Sequence, residues 1–337
     1  MKLYNVAILG ATGAVGQTML KVLEERNFPI GKLKLLASKQ SAGKEINFKG
    51  DTYTVEPVSS ESFEGIDIAL FSAGSTRSKT WAPIAVEKGA VVIDNSSAFR
   101  MEPQVPLVVP EVNPEDVKNH QGIIANPNCS TIQMVVALYP IHRKKTIKRV
   151  IVSTYQAVSG AGAKAIEDLQ KEVKARFEGE HYTPQALPAS IAFNVIPRID
   201  IFLENDYTKE EMKMLNETRK IMHAPDIKVS ATCVRVPVFI GHSESVTIET
   251  QEPITPQEAK QILSSAPGII MEDDPKNNVY PMPIDVEGKD DVFVGRIRKD
   301  LAFDNGLSMW VVADNLRKGA ATNAVQIAQL LVDYGLV

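Results

Sequence analysis

Seven residues near the N-terminus, Gly10-Ala11-Thr12-Gly13-Ala14-Val15-Gly16, constrain the fold more than any other feature of the chain. A short apolar run from Asn5 leads into them. Beyond them Val15, Met19, Val22 and Leu23 recur at helical spacing until Asn27-Phe28-Pro29 stops the helix. Strand, glycine turn and helix open a dinucleotide-binding fold. The GxxGxxG spacing departs from GxGxxG, yet it keeps a tight turn, an open approach for a pyrophosphate and backbone amides at a helix N-terminus. A glycine turn that binds nothing is the plainer reading; the strand before and the helix after argue against it.

Further strand-like runs at 32–38, 67–72, 90–94 and 122–125, with a helical stretch at 81–88, predict a parallel sheet covered on both faces. After about residue 145 strand patterns at 149–154, 228–238, 244–250, 291–298 and 307–313 stand apart from helical ones at 163–177, 209–223 and 256–264. That change predicts a second, mixed α+β domain with a more antiparallel sheet. At 337 residues the chain also exceeds what one hydrophobic core usually supports. The last 20 residues place Ala324, Ile327, Ala328, Leu331 and Tyr334 on one face of a further helix, whose host domain the pattern leaves open.

Thirty-seven basic against 41 acidic residues give a net charge of −4, with no long block of either sign. A nucleic-acid or membrane surface is therefore not expected, and the partner should be small. Cys129 and Cys233 form neither a disulfide framework nor a CxxC zinc pair, so free thiols in a reducing compartment are expected. The N-terminus runs straight into the first strand without a signal-peptide pattern, and no run approaches about 18 apolar residues, which predicts a cytoplasmic protein.

NAD-specific folds usually place an acidic residue after the second strand to hold the ribose 2′-hydroxyl. This chain instead has Ser38, Lys39, Gln40 and Ser41 there, with Lys44 further on. Hydroxyls and a cation suit a 2′-phosphate, so NADP is the expected cofactor; the plain alternative is solvated loop charge. Ala73 and Gly74, after a later strand, extend the same expected crevice.

Asn126-Pro127-Asn128-Cys129-Ser130-Thr131 opens an apolar helical run at 132–139. Cys129 therefore sits where helix amides and the positive end of the dipole stabilise a thiolate. Cys233, within an alternating strand, reads as a small core residue. A cysteine nucleophile needs a proton acceptor, and of five histidines His242 is the best candidate. It follows Gly241 at the entry to a strand, whereas His120, His142, His181 and His223 lie in polar surroundings.

Together with Gln156-Ala157-Val158-Ser159-Gly160, Glu210-Glu211-Met212-Lys213, Arg235 shortly before His242 and Asn315-Leu316-Arg317-Lys318-Gly319-Ala320, these motifs stand in one order. Over essentially its whole length the chain resembles the aspartate-semialdehyde dehydrogenase family. The resemblance implies that Cys129 attacks an aldehyde, His242 accepts and returns protons, Asn128 holds the cysteine loop and Gln156 positions the substrate carbonyl. It also implies that Arg235 binds the substrate α-carboxylate, Glu210 its α-ammonium, and Arg100 with Lys213 a phosphate. Glu210 and Lys213 read without it as an ordinary surface pair. Ser159, Gly160 and Asn315 would touch the nicotinamide side of NADP. The last helix would return to the first domain, dividing the chain into 1–129 with 315–337 and 130–314. The family forms homodimers, sometimes dimers of dimers.

The implied reaction is phosphorylating oxidation of L-aspartate 4-semialdehyde through a thioester, run in reverse in biosynthesis, towards lysine, methionine, threonine and diaminopimelate. N-acetyl-γ-glutamyl-phosphate reductase shares the chemistry but takes an uncharged nitrogen, which Glu210 argues against. A cysteine hydrolase would have no use for a dinucleotide crevice, and a redox sensor would bind NADP without turning over an aldehyde. The stretch 179–189 matches no motif.

Overall fold

The computed structural model describes residues 2–337 and divides into two compact units. One runs up to Asn128 and resumes at Ala320; the other is Cys129–Gly319. The seams thus differ from the expected 129/130 and 314/315. Cys129 opens a long helix of the second unit. Asp314 and Asn315 are bonded to Gly288, Ser159 and Gly241 of that unit, so residues 315–319 belong with it.

In the first unit β1 (Tyr4–Leu9) and α1 (Ala14–Glu25) flank the glycine turn. They are followed by β2 (Ile30–Ala37), β3 (Glu45–Phe48), β4 (Asp51–Thr54), β5 (Glu56–Pro57), β6 (Ile68–Phe71), α2 (Ser75–Glu87), β7 (Val91–Asp94) and β8 (Ile123–Ala125). Six of the strands form one parallel sheet in the order β5-β2-β1-β6-β7-β8. Successive side chains of a strand point to opposite faces. Accordingly Val6 and Ile8 pack with Met19 and Leu23 of α1 and with Ala324, Ile327 and Leu331 of the C-terminal helix, Thr322–Asp333. Ala7 and Leu9 pack with Ala82 and Ala85 of α2 on the other side. The C-terminal helix therefore does return to this unit. The β3–β4 hairpin is not apparent from the sequence, because its strands are short and mostly polar. Its two-residue turn has Lys49 at φ 51° and Gly50 at φ 87°, the left-handed pair that tight hairpins need.

Only two of the three motif glycines are demanded by packing. Gly10 has φ +93°, and a Cβ there would lie 2.3 Å from the Ser72 carbonyl oxygen; a Cβ on Gly16 would lie 2.3 Å from the Gly10 carbonyl oxygen. At Gly13 φ is −81° and a Cβ would meet nothing nearer than 3.4 Å. Gly10→Ala should therefore destabilise the protein by about 3 kcal/mol or more, from strained φ plus a backbone clash. Gly13→Ala should cost less than about 1 kcal/mol. Urea unfolding of the two variants checks both, and equal losses would contradict this division.

The second unit runs α3 (Cys129–Lys145), β9 (Ile147–Gln156), α4 (Ala163–Glu178), α5 (Lys209–Ile221), β10 (Lys228–Arg235), β11 (His242–Thr250), α6 (Pro256–Ser264), β12 (Ile269–Met271), α7 (Pro283–Val286), β13 (Val292–Lys299) and β14 (Gly306–Ala313). Its sheet has the order β10-β9-β11-β14-β13-β12, parallel at the two outer pairings and antiparallel at the three inner ones. Ser130 to Leu138 of α3 are all buried, which makes it the helix at the centre of this unit. The register pairs Gln156 with Arg235, Tyr155 with Ser243, and Ala313 with His242. One end of the sheet thus gathers the last residues of β9, β10 and β14 and the first of β11. No helix among the described residues is long and apolar enough to cross a membrane.

Candidate active site

The loop that delivers Cys129 is pinned within the first unit. Asn126 Nδ2 donates to Asn95 Oδ1 (2.7 Å) and the Ala320 carbonyl (3.2 Å), while its Oδ1 accepts from Asn323 Nδ2 (2.7 Å). Buried Arg100 donates from Nε to the Asn126 carbonyl (2.9 Å) and from Nη2 to that of Asn95 (2.9 Å). Asn128 is buried, and Cys129 starts α3 with no acidic residue in the first turn, so the amides of that turn favour an anion at sulfur. Cys129 is half-buried, whereas Cys233 is fully buried and burial pushes its thiol up, as a core residue requires.

His242 Nε2 lies 3.3 Å from Cys129 Sγ, so the structure brings together the cysteine and the histidine singled out from sequence. The ring is fixed from behind: the Ala157 backbone N–H donates to Nδ1 at 3.0 Å. A nitrogen that accepts cannot carry the proton, so the neutral ring carries it on Nε2, aimed at sulfur. Complete burial, reinforced by the Arg235 charge, lowers His242 from 6.5 to about 3, so the ring is neutral at neutral pH. In this tautomer His242 donates to Sγ in the resting state; taking the thiol proton would require the other tautomer. Two glycines make the room. A Cβ on Gly160 would lie 3.0 Å from Arg235 Nη1 and 3.2 Å from the His242 ring, and one on Gly319 would lie 2.9 Å from Cys129 Cβ.

Arg235, at the end of β10, is buried and donates from Nη1 to the Ala157 carbonyl (2.8 Å). The same peptide segment thus anchors the arginine through its C=O and the histidine through its N–H. Gln156 Nε2 lies 3.4 Å from Glu210 Oε1 and 3.2 Å from Thr154 Oγ1. Glu210 and Lys213 do form an ion pair (2.9 Å), and Lys213 also reaches Asp200 (3.0 Å), but the pair is inside rather than solvated, with the Glu210 side chain 6% exposed. The adjacent carboxylates have separate tasks. Glu211 closes a capping box with Thr208 and accepts from the Cys233 N–H, which leaves Glu210 facing Gln156.

Ser159 and Asn315 are buried and spent on each other: Asn315 Nδ2 donates to Ser159 Oγ (3.0 Å) and Asn315 Oδ1 accepts from the Gly241 N–H (2.9 Å). Their side chains brace the turn that precedes His242. The stretch 179–189, which no motif covered, has a structural account. Asp168 accepts from the N–H groups of Gln185 and Ala186 and from Tyr182 Oη, and Glu172 from those of Ile191 and Ala192. The segment so held lines a cavity of about 400 Å³ with Leu187, Pro188, Arg198, Asp200 and Arg235.

In the first unit Gly13 is exposed, and the first-turn residues Ala14, Val15 and Gly16 present amide groups with no acidic side chain beside them. Thr12 is half-buried, and Lys39 and Gln40 are exposed between half-buried Ser38 and Ser41. Ala73 is half-buried, and Gly74, at φ +84° with open space where a Cβ would be, starts α2. This turn leaves open space and unshielded amides at a helix start, and the loop after β2 carries hydroxyls and a cation but no carboxylate.

Residues 5–120 match the family model "Semialdehyde dehydrogenase, NAD binding domain" and residues 138–318 match "Semialdehyde dehydrogenase, dimerisation domain". An aspartate-semialdehyde dehydrogenase from Aquifex aeolicus is 67% identical over 99% of both chains. The chain belongs to the aspartate-semialdehyde dehydrogenase family. Its structure superposes on that of aspartate semialdehyde dehydrogenase II from Vibrio cholerae complexed with ASA with a TM-score of 0.97, at 51% identity over 99% of both chains. A more distant aspartate semialdehyde dehydrogenase, from Candida albicans and solved with NADP, gives 0.77 at 26% identity over the full length of both. As a member of this dehydrogenase family, the protein pairs an NAD-binding unit with a mixed-sheet unit. Sequence reasoning passed over Ala157, whose contribution is a backbone amide and carries no side-chain signal. It also gave no separate role to Gly319, which appeared only inside the longer motif.

Proposed function

We propose that the protein catalyses the reversible, NADP-dependent, phosphorylating oxidation of L-aspartate 4-semialdehyde to L-4-aspartyl phosphate through a thioester on Cys129. The observation that carries this reading is the 3.3 Å approach of Cys129 Sγ to a neutral His242 at the start of a buried helix. The sulfur, as thiolate, accepts from Nε2–H and from the helix amides. It adds to the aldehyde carbon, and the carbonyl oxygen takes up the negative charge within reach of the same Nε2–H. NADP, held by the glycine turn, would supply the hydride acceptor; with that hydride gone the C=O bond of the same carbon re-forms, giving the thioester. A phosphate oxygen then attacks the acyl carbon, the C–S bond breaks, and the thiolate returns to its original donors. Once Cys129 is a thiolate, no proton has to leave the carbonyl oxygen, which suits a histidine held as a donor.

Arg235 takes the α-carboxylate and Glu210 the α-ammonium, with Gln156 beside Glu210 to orient the carbonyl. Arg100 and Lys213 are assigned to phosphate by the family resemblance. The loop after β2 supports NADP over NAD, since Ser38, Lys39 and Ser41 stand where a carboxylate would repel a 2′-phosphate. A homodimer fits the exposed β9 side chains Ile151 and Tyr155, whose latter ring lies 5.5 Å from that of Trp310. The reaction would serve synthesis of lysine, methionine, threonine and diaminopimelate.

The test follows NADPH absorbance with L-aspartate 4-semialdehyde, NADP and phosphate, beside a mixture lacking phosphate. Sustained turnover in the first and at most a single-turnover burst in the second is expected. Equal sustained rates would mean that water, not phosphate, cleaves the acyl-enzyme.

A further inference from the structure

Beneath the reacting pair lies a second polar pair that the reaction does not use. One helical turn after Cys129, α3 carries Gln133; two residues after His242, on the same face of β11, comes Glu244. Both are fully buried. Gln133 Nε2 donates to the His242 carbonyl at 3.2 Å. Three atoms are then left without a donor or acceptor: Gln133 Oε1 and both Glu244 carboxyl oxygens.

A buried carboxylate with no donor is costly, and so is a buried amide oxygen with none. Turning the Gln133 amide over does not help, because its oxygen would then face the His242 carbonyl. One proton removes the charge and pairs two of the three atoms, leaving only the carbonyl oxygen of a neutral carboxyl without a donor, a smaller cost than a bare buried carboxylate. We propose that Glu244 is a positioning residue that keeps its proton. Its hydroxyl donates to Gln133 Oε1, so that Gln133 Nε2 holds the His242 carbonyl and, through it, the ring against Cys129 Sγ. The chain runs Glu244 O–H to Gln133, Gln133 N–H to His242 C=O, and His242 Nε2–H to sulfur.

The surroundings agree. In the strand register Glu244 stands between Thr154 of β9 and Val311 of β14, and the Gln133 side chain of α3 is close enough to act on its carboxyl. On β10 the Cys233 thiol, which burial keeps neutral, feels the Glu244 carboxyl. No cation acts on the carboxyl: burial raises it well above its ordinary 4.5, and the Gln133 side chain alone opposes that.

This inference rests on the assignment of Cys129 and His242 as the reacting pair, but its first test does not. In an infrared difference spectrum at pH 8, wild type minus Glu244→Gln, the C=O stretch of a protonated carboxyl is expected; its absence overturns the proposal. Glu244→Gln, whose amide donates where the hydroxyl did, should keep kcat and the rate of Cys129 alkylation by iodoacetamide within about threefold of wild type. A folded Glu244→Gln that loses tenfold in either would mean that the carboxyl must ionise, and would equally overturn it. Glu244→Leu, folded by circular dichroism, should lose tenfold or more in kcat and shift the pH profile of alkylation; an unchanged profile and rate would reduce Glu244 to packing. If the leucine variant does not fold, the infrared band and the glutamine variant still decide. Because the neutral form is favoured only in the folded state, the wild type should lose stability relative to Glu244→Gln as pH rises above 4.5. The band, the alkylation and the unfolding need no substrate, so failure of the proposed aldehyde reaction would leave them readable.

Discussion

Cys129→Ala should lower kcat/KM for aldehyde oxidation by at least about a thousandfold, because it removes the sulfur that lies 3.3 Å from His242 Nε2 and that would form the acyl bond. Binding of NADP, followed by fluorescence titration, should stay within about threefold of wild type, since the glycine turn belongs to the other unit. The fold should hold as well, alanine being a good helix former at the start of α3. Cys233→Ala provides the contrast: it trims a core residue and should cost stability of about 1 kcal/mol while leaving kcat nearly unchanged. Mass spectrometry of enzyme quenched without phosphate should find the acyl group on Cys129 in the wild type and nowhere in the alanine variant. An alanine variant keeping more than a few per cent of turnover would sink the thioester mechanism.

The second large effect is expected at Arg235. The guanidinium is buried, so on the proposed reading a leucine there removes the partner of a desolvated substrate carboxylate, an interaction on the order of 3–5 kcal/mol. At about 1.4 kcal/mol per decade this is a fall of roughly a hundred- to several-thousandfold in kcat/KM, mostly through KM. Part of the loss should appear in kcat, because Nη1 also braces the Ala157 carbonyl, and the N–H of Ala157 fixes the His242 ring. Arg235→Lys keeps the charge but not the fork and should fall between the two. Steady-state kinetics with L-aspartate 4-semialdehyde and with propanal, which has no carboxylate, separates these contributions. If Arg235→Leu slowed both aldehydes by the same factor, the arginine would be a brace only, and the carboxylate would have to bind elsewhere.

Much of this was legible in the residue order because local chemistry dictates it. The glycine turn, the all-parallel apolar strands and the cysteine at a helix start each follow from a constraint that acts within a few residues. What was not legible lies in long-range register. The expected strand at 149–154 stops short of Gln156, yet it is the pairing of Gln156 with Arg235 that brings these two together. Glu210 and Glu211 are indistinguishable by type and spacing. The distinction comes from Cys233, whose N–H claims Glu211 from a strand more than twenty residues away. The Ala157 amide that sets the His242 tautomer has no side-chain signature, so a general base was the natural expectation for His242 and a fixed donor was not. Asn315 was assigned to the wrong side of the seam because its partners, Ser159 and Gly241, are distant in the chain.

The glycine turn also bears on how such a chain would age if selection for its cofactor were lifted. Gly10 and Gly16 hold the first strand and helix together whether or not anything is bound, while Gly13 alone keeps a vacancy that the protein itself does not need. A descendant that had abandoned its dinucleotide would thus be free to drift at residue 13 and would still inherit glycine at 10 and 16. In any lineage built on this frame, the middle glycine records present use, and the outer two record only ancestry.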